Sequence, residues 1–152
     1  MIDQARILIV EDEPKWIRTF RRLLSDKDAL TLNNDVAFEE AKSLSEARNL
    51  LRDNMFDVVL LDLRLTTWDM KSFEGMELLP DLAEITIKFG TQVIITSAHG
   101  TIDITRDAFK NHNIHDFFQK RNLSTEIKQF HKSVKEGIEK AQAIRSESND
   151  TT

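Results

Sequence analysis

Short, unbroken runs of apolar residues recur along this chain, and polar residues follow each of them. Residues 6–10, 58–61 and 92–95 contain such runs, and the length and continuity of these runs are typical of strands buried on both faces of a parallel sheet. Residues 36–41 are a poorer candidate because they include two glutamates, so we place this strand at or near an edge of the sheet. A last strand is predicted over residues 114–119.

Between these runs, apolar residues recur three or four positions apart, which is the spacing of a helix face. Five such faces are predicted: Ile17, Phe20 and Leu24; Leu44, Ala47 and Leu51; Met76, Leu79 and Ala83; Ile104 and Ala108; and Ile127, Phe130, Val134, Ile138 and Ala141. Ser43 and Glu46 have the spacing of a capping box, and Pro80 should kink or break the third helix. Residues 28–34 and 65–74 show no period and are predicted to be loops.

The resulting order, a strand followed by a helix five times over, is that of an α/β fold. We predict a doubly wound, five-stranded parallel sheet with helices on both faces and right-handed crossovers. A chain of 152 residues fits one domain, which we place at residues 1–145. Residues 146–152 are polar and are predicted to form a disordered C-terminal tail.

Composition and charge narrow the classes of function. The chain has no cysteine, which excludes disulfides, thiolate metal sites and cysteine catalysis. Its net charge of −5 provides no broad basic field for nucleic acid. The sequence shows neither the pattern of a signal peptide nor an apolar run of the ~20 residues that a membrane helix needs. We therefore expect a cytoplasmic protein that binds neither nucleic acid nor membrane.

Polar side chains stand where four of the predicted strands end. They are Glu11 and Asp12, Asp62, Thr96 and Ser97, and Lys120. Any one of them has an ordinary explanation, such as capping the next helix, but the carboxyl ends of parallel strands meet at one edge of the sheet, where ligands bind. Clustered carboxylates favour Mg²⁺, and a lysine with a hydroxyl suits the oxygens of an anion. Because an aspartate can form an aspartyl-phosphate, the pattern predicts phosphoryl transfer to a carboxylate.

In this order, the residues resemble the receiver domain of two-component response regulators, over about residues 5–142. The matching residues are Glu11-Asp12 after the first strand, Asp62 in Leu60-Leu61-Asp62-Leu63, Ser97-Ala98 after the fourth strand, and Lys120 after Phe117-Phe118-Gln119. The resemblance implies a flavodoxin-like fold of the receiver type. It also implies that Asp62 is the phosphoacceptor, and that Glu11, Asp12, Asp62 and the backbone carbonyl of Arg64 hold Mg²⁺.

The resemblance assigns further roles at the same edge. Ser97 and Lys120 would bind the phosphoryl oxygens, and Ser97 and Phe117 would form the switch that responds to phosphorylation. Thr96 is an alternative to Ser97, but the family pattern places a small residue directly after the hydroxyl, and Ala98 follows Ser97.

The implied function is that of a phosphoacceptor in a two-component or phosphorelay pathway. A sensor histidine kinase or a phosphotransfer protein would supply the phosphoryl group, and phosphorylation would switch a face that binds an unidentified downstream protein. Such a chain would be expected to autodephosphorylate without being a conventional enzyme. The resemblance leaves open a dimer through the fourth helix, fifth strand and fifth helix. Because the chain ends soon after the fifth helix, we expect a stand-alone receiver without an output domain.

Arg121 departs from the family pattern, which has a proline after the lysine. This departure leaves open a degenerate receiver that acts as a phosphorylation-independent interaction module. A phosphatase of the haloacid-dehalogenase type would need a second acid two residues after the nucleophile, where Arg64 stands. A flavin-binding protein of the same fold would need a loop rich in Ser, Thr and Gly after the first strand, which is absent from the sequence.

Overall fold

A computed structural model of the chain describes residues 4–63, 75–98 and 112–150. The loop predicted at residues 65–74, the helix predicted at residues 101–110 and the backbone of Arg64 lie outside these ranges. Within the described parts of the chain, no helix is long and apolar enough to cross a membrane.

The five strands form one parallel sheet. They are β1 (Arg6–Val10), β2 (Ala37–Ala41), β3 (Val58–Leu61), β4 (Gln92–Ser97) and β5 (Asp116–Gln119). Their order in the sheet is β2-β1-β3-β4-β5, with every neighbouring pair parallel. This confirms the predicted fold class and places β2 at an edge. From β1 the chain crosses to β2 on one side of the sheet, and from β3 it crosses to β4 on the other side. In folds of this kind, ligands bind in the crevice at the carboxyl ends of the two strands where the direction reverses, here β1 and β3.

The helices lie on both faces of the sheet. They are α1 (Pro14–Leu24), α2 (Lys27–Leu30), α3 (Leu44–Asp53), α4 (Gly75–Phe89) and α5 (Ile127–Asp150), with a 3-10 helix over Lys120–Thr125 before α5. One sheet face packs against α1 and α5, where Phe20, Phe130, Val134 and Ile138 are buried. The other packs against α3 and α4, where Ala47, Leu78, Leu79 and Leu82 are buried. Each fully buried large side chain stabilises the fold by about 1.5–3 kcal/mol.

Three local predictions need correction. The segment predicted as a loop from residue 28 contains α2, whose first turn is capped by Asp26 accepting from the Ala29 N–H at 3.1 Å. Pro80 does not break α4, because burial of leucines before and after it keeps both halves of the helix on the sheet. Ile127 is 37% exposed, although it was predicted on the buried face of the last helix.

The C-terminal helix extends further than the sequence predicted. It reaches Asp150, so residues 146–150 are helical, where a disordered tail was expected. The contacts that hold its last described turns are made earlier, by Arg145. This side chain contacts the buried carboxylate of Asp57 and donates to the carbonyl oxygens of Phe56 and Phe89 at 3.5 and 3.4 Å. These contacts anchor the helix directly before residues 146–150.

Candidate functional site

Three carboxylates meet where β1 and β3 end. Val10 and Leu61 are paired in register, so the residues that follow them, Glu11 and Asp62, leave neighbouring strands side by side. The Asp62 N–H donates to the Val10 carbonyl at 3.0 Å, and this bond fixes the exit of β3. Each of Glu11, Asp12 and Asp62 offers an oxygen within 4.8 Å of the others. The carboxylates that the sequence singled out at two strand ends therefore form one cluster.

Lys120 brings a positive charge into this cluster. It follows β5 and is 3% exposed, and its Nζ atom contacts Glu11 Oε1 and lies 3.3 Å from Asp62 Oδ2. Both carboxylates are also buried, Glu11 fully and Asp62 to 4% exposure. A single ammonium thus faces two buried carboxylates on two different strands.

The electrostatics of the cluster favour a cation. Burial raises the pKa of Glu11 to about 8, with the nearby Asp62 charge acting in the same direction and Lys120 opposing both. Burial also raises the pKa of Asp12, and Asp62 adds to this rise. Both carboxyl groups therefore lose their protons less readily than usual, first because burial disfavours their charged forms and second because Asp62 repels them.

The oxygen atoms present fit Mg²⁺. Glu11 Oε2 accepts hydrogen bonds from the N–H groups of Asp12 and Glu13 at 3.1 and 3.3 Å. Glu11 Oε1 is buried and, among the described residues, accepts no hydrogen bond of normal geometry, although the Lys120 ammonium contacts it. An oriented carboxylate beside two further carboxylates matches the hard oxygen ligands that Mg²⁺ prefers. The Arg64 carbonyl, which the family resemblance added to this set, lies outside the described residues.

The predicted hydroxyl and aromatic residues lie on the next two strands. Thr96 and Ser97 end β4 and are both buried. Because side chains alternate along a strand, Ser97 belongs to the face of Ile95 and Thr96 to that of Ile94. Phe117 on β5 is half-buried and packs against the same face as Ile95. It also borders a groove of about 380 Å³ between β5 and α5.

Trp16 is a neighbour of the site that the sequence analysis missed. It lies in the first turn of α1, four residues after Asp12, and its ring centre is 5.4 Å from Lys120 Nζ. The exposed Lys15 ammonium lies 5.6 Å from the same ring. The sequence indicated a role for Trp16 only through its position, one helical turn after the acids. Its contact with Lys120 depends on how α1 is rotated against β5, which the sequence pattern does not give.

Comparisons with known proteins point to one family. The family model of the response regulator receiver domain matches residues 7–132. The alginate biosynthesis transcriptional regulatory protein AlgB of Pseudomonas putida is 34% identical over 109 residues, which cover 71% of this chain and 21% of AlgB. The chain thus spans about a fifth of the length of this relative, and the expectation of a receiver without an output domain stays a prediction.

Solved receiver structures share the fold. The non-phosphorylated HemR receiver domain from Leptospira biflexa matches with a TM-score of 0.66 and 25% identity, covering 86% of this chain and 94% of that one. A response regulator from Burkholderia pseudomallei, solved with a phosphorylated aspartic acid, calcium and citrate, matches with a TM-score of 0.66 and 17% identity, covering 95% of this chain and 75% of that one. The family model matches most of the chain, and the chain has the fold of the solved receivers. The chain therefore belongs to the response regulator receiver domain family.

Proposed function

We propose that this protein is a phosphoacceptor in a two-component or phosphorelay pathway and that Asp62 receives the phosphoryl group in a Mg²⁺-dependent reaction. The observation that carries the proposal is the buried Lys120 ammonium between the carboxylates of Glu11 and Asp62. An ion pair that only stabilises the fold needs one carboxylate. A phosphoryl-transfer site needs a cation beside the acceptor carboxylate and further carboxylates that can bind a metal ion. Glu11 and Asp12, which cluster with Asp62, are these further carboxylates.

In the proposed reaction, a carboxylate oxygen of Asp62 attacks the phosphorus atom of the donor. A new P–O bond forms, and the bond from phosphorus to the donor's leaving group breaks with its electron pair, which takes up a proton. Bound Mg²⁺ would neutralise the charge that builds up among the oxygens. Without it, each pair of like charges ~4 Å apart costs about 4 kcal/mol at an effective dielectric constant near 20.

Glu11, Asp12 and Asp62, with the Arg64 carbonyl, would hold the metal ion. Lys120 would offset the remaining negative charge by contacting a phosphoryl oxygen, and the Ser97 hydroxyl would donate to another. Movement of Ser97 toward the phosphoryl group would alter the packing of Phe117 and so reshape the groove between β5 and α5. This is the switch that would present a face to a downstream protein, and a ligand drives it only by its differential affinity for the two states.

A sensor histidine kinase or a phosphotransfer protein is the proposed donor, acting in the cytoplasm. The phosphorylated aspartic acid and the calcium ion of the Burkholderia pseudomallei relative support this chemistry on a similar fold. Loss of the phosphoryl group to water would return the protein to its starting state. The chain would therefore turn over slowly as a signalling component and not act as a conventional enzyme.

One observation favours a second candidate, a receiver that binds its partner without phosphorylation. Lys120 contacts both Glu11 and Asp62, and these contacts alone can tie the residues that follow β1, β3 and β5 together. Arg121, where the family has proline, lies in the 3-10 helix and donates from Nε to Gln119 Oε1 at 3.0 Å. In this alternative the ion pairs would only fix the loop that follows β5.

Incubation with acetyl phosphate, followed by mass spectrometry, separates the two candidates. The phosphoacceptor proposal expects a phosphate adduct that requires Mg²⁺, is released by hydroxylamine and is absent from Asp62→Ala. The matched control is Asp35→Ala, because Asp35 is an exposed acid whose only described ion pair is with Lys27 at 3.4 Å, and it should be modified as the wild type is. An unmodified wild type, with both acetyl phosphate and a cognate kinase tried, would leave the phosphorylation-independent module.

A further inference from the structure

We propose that Trp16 is a positioning residue for Lys120: its ring retains the ammonium in the site when Glu11 serves a metal ion. This inference rests on the proposed function, in which Glu11 binds Mg²⁺ and Lys120 contacts the phosphoryl group. It concerns the competition between the metal ion and the lysine for one carboxylate.

The competition arises from a single atom. Glu11 Oε1 is contacted by Lys120 Nζ, while Glu11 Oε2 is occupied by the N–H groups of Asp12 and Glu13. A metal ion that binds Glu11 through Oε1 must therefore displace the ammonium from it. The displaced charge is on a side chain 3% exposed, and its remaining partner, Asp62 Oδ2 at 3.3 Å, is itself one of the carboxylates that would bind the metal ion. A buried charge whose partners are drawn away is costly.

The Trp16 ring lies where it can limit that cost. Lys120 Nζ is 5.4 Å from the ring centre, within the ~6 Å over which an aromatic face attracts a cation. This attraction does not use the charge of Glu11, so it survives when the carboxylate turns to a metal ion. Its effect on metal affinity depends on the difference between the two states. The ammonium released from Glu11 Oε1 is free to move closer to the ring, so the contact becomes stronger once the metal ion is bound.

The ring itself is held firmly. Trp16 packs on Phe20 with ring centres 5.8 Å apart, Phe20 on Phe130 at 6.0 Å, and Phe130 on Phe118 at 5.2 Å in an edge-to-face arrangement. Phe118 lies on β5 two residues before Lys120. This aromatic chain joins α1, α5 and β5, so the ring and the lysine backbone are fixed relative to each other.

Lys15 provides an internal comparison. Its ammonium is 5.6 Å from the same ring, but the side chain is exposed, and an exposed cation–π contact contributes little beside the hydration of the ammonium. The two lysines share one ring and differ in burial. The proposal therefore assigns the functional contact to Lys120 alone.

A double-mutant cycle on Mg²⁺ binding tests the proposal. Trp16→Leu should weaken Mg²⁺ binding by roughly threefold to tenfold, and Trp16→Phe by less, because a benzene ring attracts a cation more weakly than an indole. In the background of Lys120→Met, Trp16→Leu should leave the Mg²⁺ affinity unchanged within about a factor of two, since no ammonium remains to be held. The affinities are measured by titrating the full chain with magnesium chloride in a calorimeter.

Two controls separate positioning from packing. Phe20→Leu loosens the same aromatic chain without facing Lys120, so it should lower the melting temperature while changing Mg²⁺ affinity equally with and without Lys120. Lys15→Met should leave Mg²⁺ affinity at the wild-type value. In the wild type, NMR should show the Lys120 side-chain methylene protons shifted upfield by the indole ring, and this shift should persist when Mg²⁺ is added.

The outcomes are distinct. An equal effect of Trp16→Leu in both backgrounds, or loss of the ring-current shift on adding Mg²⁺, would overturn the positioning role while leaving phosphorylation of Asp62 intact. Binding of Mg²⁺ without any adduct on Asp62 would contradict the proposed function, and the coupling between Trp16 and Lys120 would still be measurable. A wild type that binds no Mg²⁺ would overturn both.

Discussion

Lys120 contacts Glu11 inside the protein, in an ion pair whose side chains are 2% and 1% exposed. The pair joins the end of β5 to the end of β1, across the two strands that lie between them in the sheet. Asp62, at the end of β3, lies beside both residues. The ion pair therefore holds the rim of the sheet together as well as setting the charge of the site.

Replacing Lys120 by methionine should destabilise the protein by about 3–5 kcal/mol at pH 9, because removing one partner leaves buried carboxylates uncompensated. The loss should be smaller at pH 7. The pKa of Glu11 is about 8 with Lys120 present, and Lys120 lowers it, so near pH 7 Glu11 is largely protonated in both proteins and carries little charge for Lys120 to compensate. Urea unfolding at the two pH values measures this. Lys15→Met, which removes an exposed ammonium, should change stability by no more than about 0.5 kcal/mol at either pH; an equal loss for Lys120→Met at both pH values would contradict the explanation.

Mg²⁺ affinity should rise with pH below about 8. The pKa of Glu11 is raised to about 8 by burial and by Asp62, and only the deprotonated carboxylate binds a metal ion. Between pH 6 and 7.5, each pH unit should therefore increase the affinity by up to about tenfold, with release of a proton. Calorimetric titrations in buffers of different ionisation enthalpy measure both quantities. Glu11→Gln should bind Mg²⁺ more weakly and with a flatter pH dependence. If the Mg²⁺ affinity of the wild type does not change with pH, Glu11 does not titrate in this range.

Much of the fold could be predicted from the sequence because the strands are short, continuous apolar runs. Val58–Leu61 is buried at every position, and such a run has few other ways to exclude water. The convergence of Glu11 and Asp62 followed from the same pattern, since neighbouring parallel strands end at one edge. The alternation of strands and helices was enough to predict that Glu11 and Asp62 would share an edge, although their roles there stay predictions.

Other features depended on tertiary contacts that periodicity does not encode. The four-residue helix α2 is too short to show a period, and it forms around Leu30, which is fully buried against the core. The contact of Trp16 with Lys120 needs the rotation of α1 against β5. Pro80 suggested a break in α4, but the packing of Leu78, Leu79 and Leu82 outweighs one lost hydrogen bond.

Gly90 should tolerate no side chain. Its φ is +79°, and a Cβ atom there would lie 2.8 Å from the Ala141 carbonyl oxygen and 2.9 Å from Ile144 Cβ. Gly90→Ala should therefore destabilise the protein by about 2–4 kcal/mol, the sum of left-handed backbone strain and overpacking. Thermal or urea unfolding measures the change.

Gly137 offers the matched comparison for Gly90. It lies within α5, and a Cβ atom there would approach Val58 Cγ2 at 3.1 Å. Gly137→Ala gains helix propensity of about 1 kcal/mol, which offsets a mild clash with a side-chain methyl group. We expect its stability to remain within about 1 kcal/mol of the wild type. Equal losses for both alanine variants would show that the φ of Gly90 is not the cause.

Ser97 and Phe117 face the same layer of the core, between the sheet and the helices α3 and α4. Ser97 is fully buried at the end of β4, and Phe117 is half-buried on the neighbouring strand. A movement of the Ser97 side chain can therefore be transmitted to the Phe117 ring through the packed side chains of this layer. Interiors are close-packed, so such a movement changes the space available to its neighbours.

Ser97→Ala should uncouple Phe117 from the phosphoryl site without preventing metal binding. Ser97 is not one of the residues that would hold Mg²⁺. The Mg²⁺ affinity of the variant should therefore stay within about twofold of the wild type, as expected when a mutated group makes no contact with the ligand. Beryllofluoride, a phosphoryl mimic, should then shift the NMR signals of Phe117 and of residues lining the groove between β5 and α5 in the wild type, and shift them much less in the variant. Ser124→Ala, which removes an exposed hydroxyl, should respond as the wild type does. The same shifts at Phe117 in Ser97→Ala as in the wild type would mean that the signal reaches the groove by another route, with the 3-10 helix that begins at Lys120 as the next connection to test.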